Sequence, residues 1–161
     1  MVRPFDGPIA FSAGFRPFFI GCGAWAIIAM AAWIAAISGA SILPDHLAPT
    51  DWHFNELLFG VIGAAMSGFI LTAVPNWTGQ LPLRGRPLMA LFGLWCAGRF
   101  VSIFGTWVGI QSVAIIDSAF FAVLFLIVSR EIIHGRNWRN LPVAVAIGLF
   151  GLAHILFYLE A

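Results

Sequence analysis

His53 and Glu56 stand three residues apart in the stretch Asp51-Trp52-His53-Phe54-Asn55-Glu56, which opens directly onto an apolar run from Leu57 to Val74. On a helix that spacing puts an imidazole and a carboxylate on one face, a donor pair suited to a transition metal or a haem iron. Both groups also have plainer reasons to be there, since a histidine suits the membrane–water interface and a first-turn glutamate is favoured by the helix dipole. Arg99, Asp117 and His154 lie inside other apolar stretches. Arg99 and Asp117 read as a structural ion pair between neighbouring helices, because an unpaired charge in low dielectric is costly; the alternative is that they line a substrate site. His154 is either a hydrogen-bonded core histidine or a third cofactor or metal ligand beside His53 and Glu56. His46 and His134 fall in loops and join no such set. Cys22 and Cys96 lie singly in apolar segments, with neither metal-site spacing nor a disulfide framework, and read as small core filling.

The elements that must position these residues follow from composition. Hydrophobic residues make up 61% of the 161 residues, charged ones 9%, and the mean hydropathy is +0.96, so there is too little polar surface to coat a soluble globule. The expected fold class is all-α, a polytopic transmembrane bundle forming a single domain over residues 1–161. A net charge of +1, with every basic residue an arginine, forms no nucleic-acid footprint. The first apolar run is longer than a secretory signal core and similar runs follow it, so it reads as a retained span.

Five spans are expected, at about 18–38, 52–74, 87–104, 110–129 and 141–159. Met1 to Pro17 is an arm without regular structure, and Pro17 suits the first turn of the first helix. Asp51 is a plausible cap for the second helix and Pro75 its end. Gly60, Ala64 and Gly68 form a small-residue stripe for close helix packing. The arm and the loops after the second and fourth spans hold Arg3, Arg16, Arg84, Arg86, Arg130, Arg136 and Arg139, whereas the loops after the first and third hold none. That asymmetry places the N-terminus in the cytoplasm. His53, Glu56, Arg99, Asp117 and His154 then fall at similar depth toward the outer side, and His53, Glu56 and His154 are expected to face one cavity there.

Several segments together resemble the NnrS family: Phe15-Arg16-Pro17-Phe18-Phe19, Trp52-His53-Phe54-Asn55-Glu56-Leu57-Leu58-Phe59-Gly60, Gly68-Phe69, Leu71-Thr72-Ala73-Val74-Pro75-Asn76-Trp77-Thr78-Gly79, Leu94-Trp95 with Ala97-Gly98-Arg99, and Arg139-Asn140-Leu141-Pro142-Val143. The resemblance implies a bacterial inner-membrane protein containing haem and copper and acting in the nitric oxide and nitrosative-stress response, often alongside denitrification. It also implies a longer architecture of which this chain corresponds to the N-terminal portion. Two segments depart from the family pattern, which reads His-x-His-Glu where this chain has Asn55 before Glu56, and Asn then His where it has His154 and Tyr158. The implied cofactors are haem and copper, or neither if those departures remove the site. The implied partners are the lipid bilayer, nitric oxide, and further copies or a complementing membrane subunit. The competing function is that of a metal-free structural or transport subunit.

Overall fold

The computed structural model describes residues 7–44, 47–105 and 109–160. Asp45 and His46 lie outside the described residues, as does Arg3. Five helices are long and apolar enough to cross a membrane. They are α1 (Phe15–Ile37), α2 (Pro49–Thr78), α3 (Arg86–Phe104), α4 (Ile110–His134) and α5 (Leu141–Glu160). No strand occurs among the described residues. The arm before α1 is shorter and more ordered than expected: Ile9–Phe11 form a 3-10 turn, Phe11 packs edge-on against Phe92, and α1 begins at Phe15.

The centre of the bundle is α2. Half of its apolar window is buried, against at most 33% in any other helix. Its small-residue stripe explains how α1 approaches it: Gly68 faces Phe18 and Phe19, Ala64 is fully buried, and Gly60 faces the indole nitrogen of Trp25. Phe18, Gly21, Trp25 and Ala29 recur every three or four residues and form the buried face of α1. Ascending α1 from Phe18 to Trp25 descends α2 from Gly68 to Gly60, so the two helices run antiparallel. Around this pair an aromatic core of Phe18, Phe59, Phe92, Trp95, Phe120 and Phe121 fills the interior through edge-on and tilted ring contacts and the stacked Phe92–Trp95 pair.

Both ends of α2 and one internal turn differ from the sequence expectation. The helix starts at Pro49, with Ala48 as its cap, so Asp51 lies inside the first turn where its charge suits the helix dipole. Residues Glu56–Ile62 form a π-helical turn. Pro75 does not end the helix, which continues to Thr78 and stops at Gly79 in the left-handed conformation, φ 68°. Proline can stand inside a membrane helix. Thr72, Asn76 and Thr78 around it each donate a side-chain hydrogen bond to the carbonyl four residues earlier, those of Gly68, Thr72 and Val74. The fourth helix also runs beyond Ser129, to His134.

Segments bearing arginine meet at one end of the bundle. The Gly85 N–H donates to the Phe11 carbonyl over 2.8 Å, and the Asn137 amide donates to the Trp77 carbonyl over 2.6 Å. These bonds tie the arm to the α2–α3 connection, and the last turn of α2 to the α4–α5 connection.

Candidate functional site

A buried polar cluster draws one or more side chains from every helix. Trp25 comes from α1, Asn55 and Glu56 from α2, Arg99 and Ser102 from α3, Asp117 and Ser118 from α4, and His154 and Tyr158 from α5. Glu56, Asn55 and His154 are fully buried, and Arg99 is 3% exposed. Low dielectric makes such a cluster costly unless each group is paired.

The pairing centres on Arg99. Its Nη1 donates to Glu56 Oε2 and its Nη2 to Asp117 Oδ1, so one guanidinium fork bridges two carboxylates on flanking helices. Trp25 Nε1 also donates to Glu56 Oε2, over 2.7 Å, and the Arg99 guanidinium lies 5.9 Å from the centroid of the Trp25 ring. The other oxygen of Glu56 accepts from Ser102 Oγ at 2.5 Å and from Asn55 Nδ2 at 3.2 Å. Four donors therefore occupy the carboxylate, which has about four lone-pair sites. Ser102 is in turn held by Trp52, whose indole N–H reaches both its carbonyl and its hydroxyl.

On the α4–α5 side, the Tyr158 hydroxyl donates to Asp117 Oδ2 over 3.2 Å and accepts from Asn55 Nδ2 over 3.3 Å. His154 Nε2 lies 3.3 Å from the same Asp117 oxygen without aligning as a hydrogen bond, and its Nδ1 faces Ser118 Oγ at 3.1 Å. Phe59 and Phe121 wall the imidazole, with ring centroids 4.5 and 5.2 Å away.

Local backbone features make this geometry accessible. A π-helical turn opens the i to i−4 ladder and commonly marks functional positions. Here it begins at Glu56, and the carbonyl of Gly60 within it accepts from Trp95 Nε1 over 3.1 Å. A methyl group on Gly60 would collide with Nη1 of Arg99, and one on Gly98 with Oδ1 of Asp117. Glycine is needed at both places for space.

His53 lies elsewhere. Its ring stacks on Trp33 of α1, with centroids 4.0 Å apart and planes at 11°. No hydrogen bond or ring contact joins it to Glu56 or His154. Its Nδ1 is buried without a hydrogen-bond partner, as is the indole nitrogen of Trp33. The structure thus brings Glu56, Arg99, Asp117 and His154 together and leaves His53 outside them, one turn before the π-helical segment. Cys22 and Cys96 are free thiols. Trp25, Trp52, Ser102 and Tyr158 were not expected in the site. The available signal was chemical: a buried indole N–H or hydroxyl usually finds a partner, and each of these residues lies in or beside an apolar span.

The chain matches the family described as NnrS protein over residues 9–161. It belongs to the NnrS family. No curated protein and no solved structure matches it. The match takes in all five helices, including the Trp52–Gly60 stretch that supplies Asn55, Glu56 and the start of the π-helical turn.

The donor set can be tested against the haem and copper that the family implies. Among the described residues no three His, Cys, Asp or Glu side chains are grouped to hold a metal ion. Both oxygens of Glu56 are taken by four donors, Asp117 by Arg99 and Tyr158, and His154 sits between Ser118 and Asp117. These residues do not fit a shared copper centre with His53. His53 retains an imidazole nitrogen that no internal group uses, whereas the unbonded Nε2 of His154 faces Asp117 at 3.3 Å.

Proposed function

We propose that this protein acts in the bacterial nitric oxide response as a multi-pass protein of the cytoplasmic membrane, with its N-terminus on the cytoplasmic side. The family match over residues 9–161 carries this reading. The orientation is supported by the arginine-bearing segments, which gather at one end of the bundle and would face the cytoplasm. In this reading the Arg99 cluster is the scaffold that fixes α2, and His53, at the opposite end of the bundle from the arginines, is the residue that would ligate a haem iron or a copper ion. No catalytic residue is assigned. Nitric oxide, the bilayer and either a second copy or a complementing membrane subunit are the partners.

The experiment is an optical spectrum with metal analysis of the detergent-solubilised protein, alongside survival of a strain lacking the gene under a nitric oxide donor. A Soret band or bound copper that disappears in His53→Ala, together with a sensitised strain, supports the reading. A colourless, metal-free protein and an unaffected strain favour the second reading, a structural or transport subunit. That alternative has its own observation: both carboxylates of the cluster are already held by Arg99.

A further inference from the structure

A cleft of about 460 Å³ opens at the arginine-rich end, between the α2–α3 connection and the last turns of α4. Leu81, Arg84 and Pro87 line one side, and Ile127, Arg130 and His134 the other, with Glu131 as the acidic member of the lining. His134 Nδ1 donates to the Arg130 carbonyl over 2.9 Å, which fixes the ring at the mouth. The wider charge balance is one-sided. Arg16, Arg84, Arg86, Arg130, Arg136 and Arg139 belong to this end, and among the described residues Glu131 is the acidic side chain that opposes them. Pro87 belongs to the first turn of α3, whose partial positive charge adds to the field. Trp77 and Trp138, 41% and 60% exposed, lie at the same end and suit the headgroup level of a bilayer.

We propose that this cleft seats the phosphate group of an anionic lipid. The guanidinium groups of Arg84 and Arg130 match a phosphate in shape and charge, and the apolar walls formed by Leu81 and Ile127 receive the start of the acyl chains. A basic pocket between membrane helices at a cytoplasmic interface has the chemistry such headgroups select. This inference rests on the orientation proposed above, and not on the nitric oxide role or on any cofactor.

The test measures lipid binding to the detergent-solubilised full chain by native mass spectrometry and by the shift in thermal unfolding midpoint. The probes are phosphatidylglycerol, phosphatidylcholine and inorganic phosphate at equal phosphate concentration. Phosphatidylglycerol is expected to be retained and to raise the midpoint. Arg84→Gln and Arg130→Gln should each weaken that binding about fivefold, while Arg139→Gln, an exposed arginine outside the cleft, should leave it near the wild-type value. Equal retention of the two lipids by the wild-type chain would overturn the proposal, and this comparison needs no variant. Equal weakening by Arg139→Gln would also overturn it, by showing a diffuse field in place of a site. Inorganic phosphate reproducing the full shift would overturn the assignment of the anion to a lipid.

Discussion

The Asn55 amide donates to the Tyr158 hydroxyl across 3.3 Å, joining the start of the π-helical turn in α2 to the far end of α5. These are two of the positions that the resemblance marks as departures from the family pattern, and they touch. Each also serves the buried charges, Asn55 by donating to Glu56 and Tyr158 by donating to Asp117. The two departures thus act as one unit that completes the hydrogen bonding of both carboxylates.

Tyr158→Phe tests that unit. The substitution keeps the ring packed on His154, 5.1 Å between centroids, and removes only the hydroxyl. It leaves the Asp117 oxygen and the Asn55 amide each one partner short, so stability should fall by about 1 to 3 kcal/mol. Thermal or denaturant unfolding of the solubilised protein reads this directly, and an unchanged midpoint would show that the hydroxyl is not needed by the cluster.

Arg99 bridges two carboxylates, and its loss should be worse than loss of the whole set. Arg99→Met leaves Glu56 and Asp117 buried without their countercharge, a cost of about 3 to 5 kcal/mol. The triple change Arg99→Met, Glu56→Gln, Asp117→Asn removes the charges together and should recover part of that loss. If the triple variant is the less stable of the two, the charges contribute net attraction beyond compensating one another.

Much of the fold is legible in the sequence, because a membrane span needs a long apolar run and such runs are bounded here by Gly, Pro and Arg clusters. The central part of α2 is less so. Periodicity does not separate an α from a π turn over seven residues, and Pro75 looks like a terminator although a membrane helix can carry a proline in its interior. Within the site, depth along each helix is readable and azimuth is not. Arg99 and Asp117 suggest each other as oppositely charged groups on neighbouring helices, yet nothing in the spacing shows that the same guanidinium also reaches Glu56, or that His53 turns away toward Trp33.

Gly60→Ala probes how tightly the scaffold is built. The added methyl group meets the Arg99 guanidinium, with the Trp25 indole nitrogen and a Glu56 oxygen each 3.0 Å away, so the arginine must shift from Glu56. Overpacking of this kind costs about 1 to 3 kcal/mol. Gly93→Ala is the natural comparison, since nothing lies within 4 Å of its added carbon, and it should be neutral or slightly stabilising by helix propensity. A Gly60→Ala protein as stable as Gly93→Ala would mean that the cluster has slack.

His53→Ala separates scaffold from ligand site. The ring contacts Trp33 and makes no bond to the Arg99 cluster, so its removal takes away one stacked pair, worth about 0.5 to 1.5 kcal/mol beyond area burial. The five helices should still insert, and the buried bonds among Trp25, Glu56, Arg99 and Asp117 should persist. Circular dichroism and the unfolding midpoint are expected to stay close to those of the parent protein, well above Arg99→Met. A cofactor held by His53 would be lost against that intact background, whereas Tyr158→Phe should lose stability and keep its cofactor. The reverse pattern, with colour or metal lost in Tyr158→Phe and retained in His53→Ala, would move the ligand site into the Arg99 cluster and overturn the division between the two.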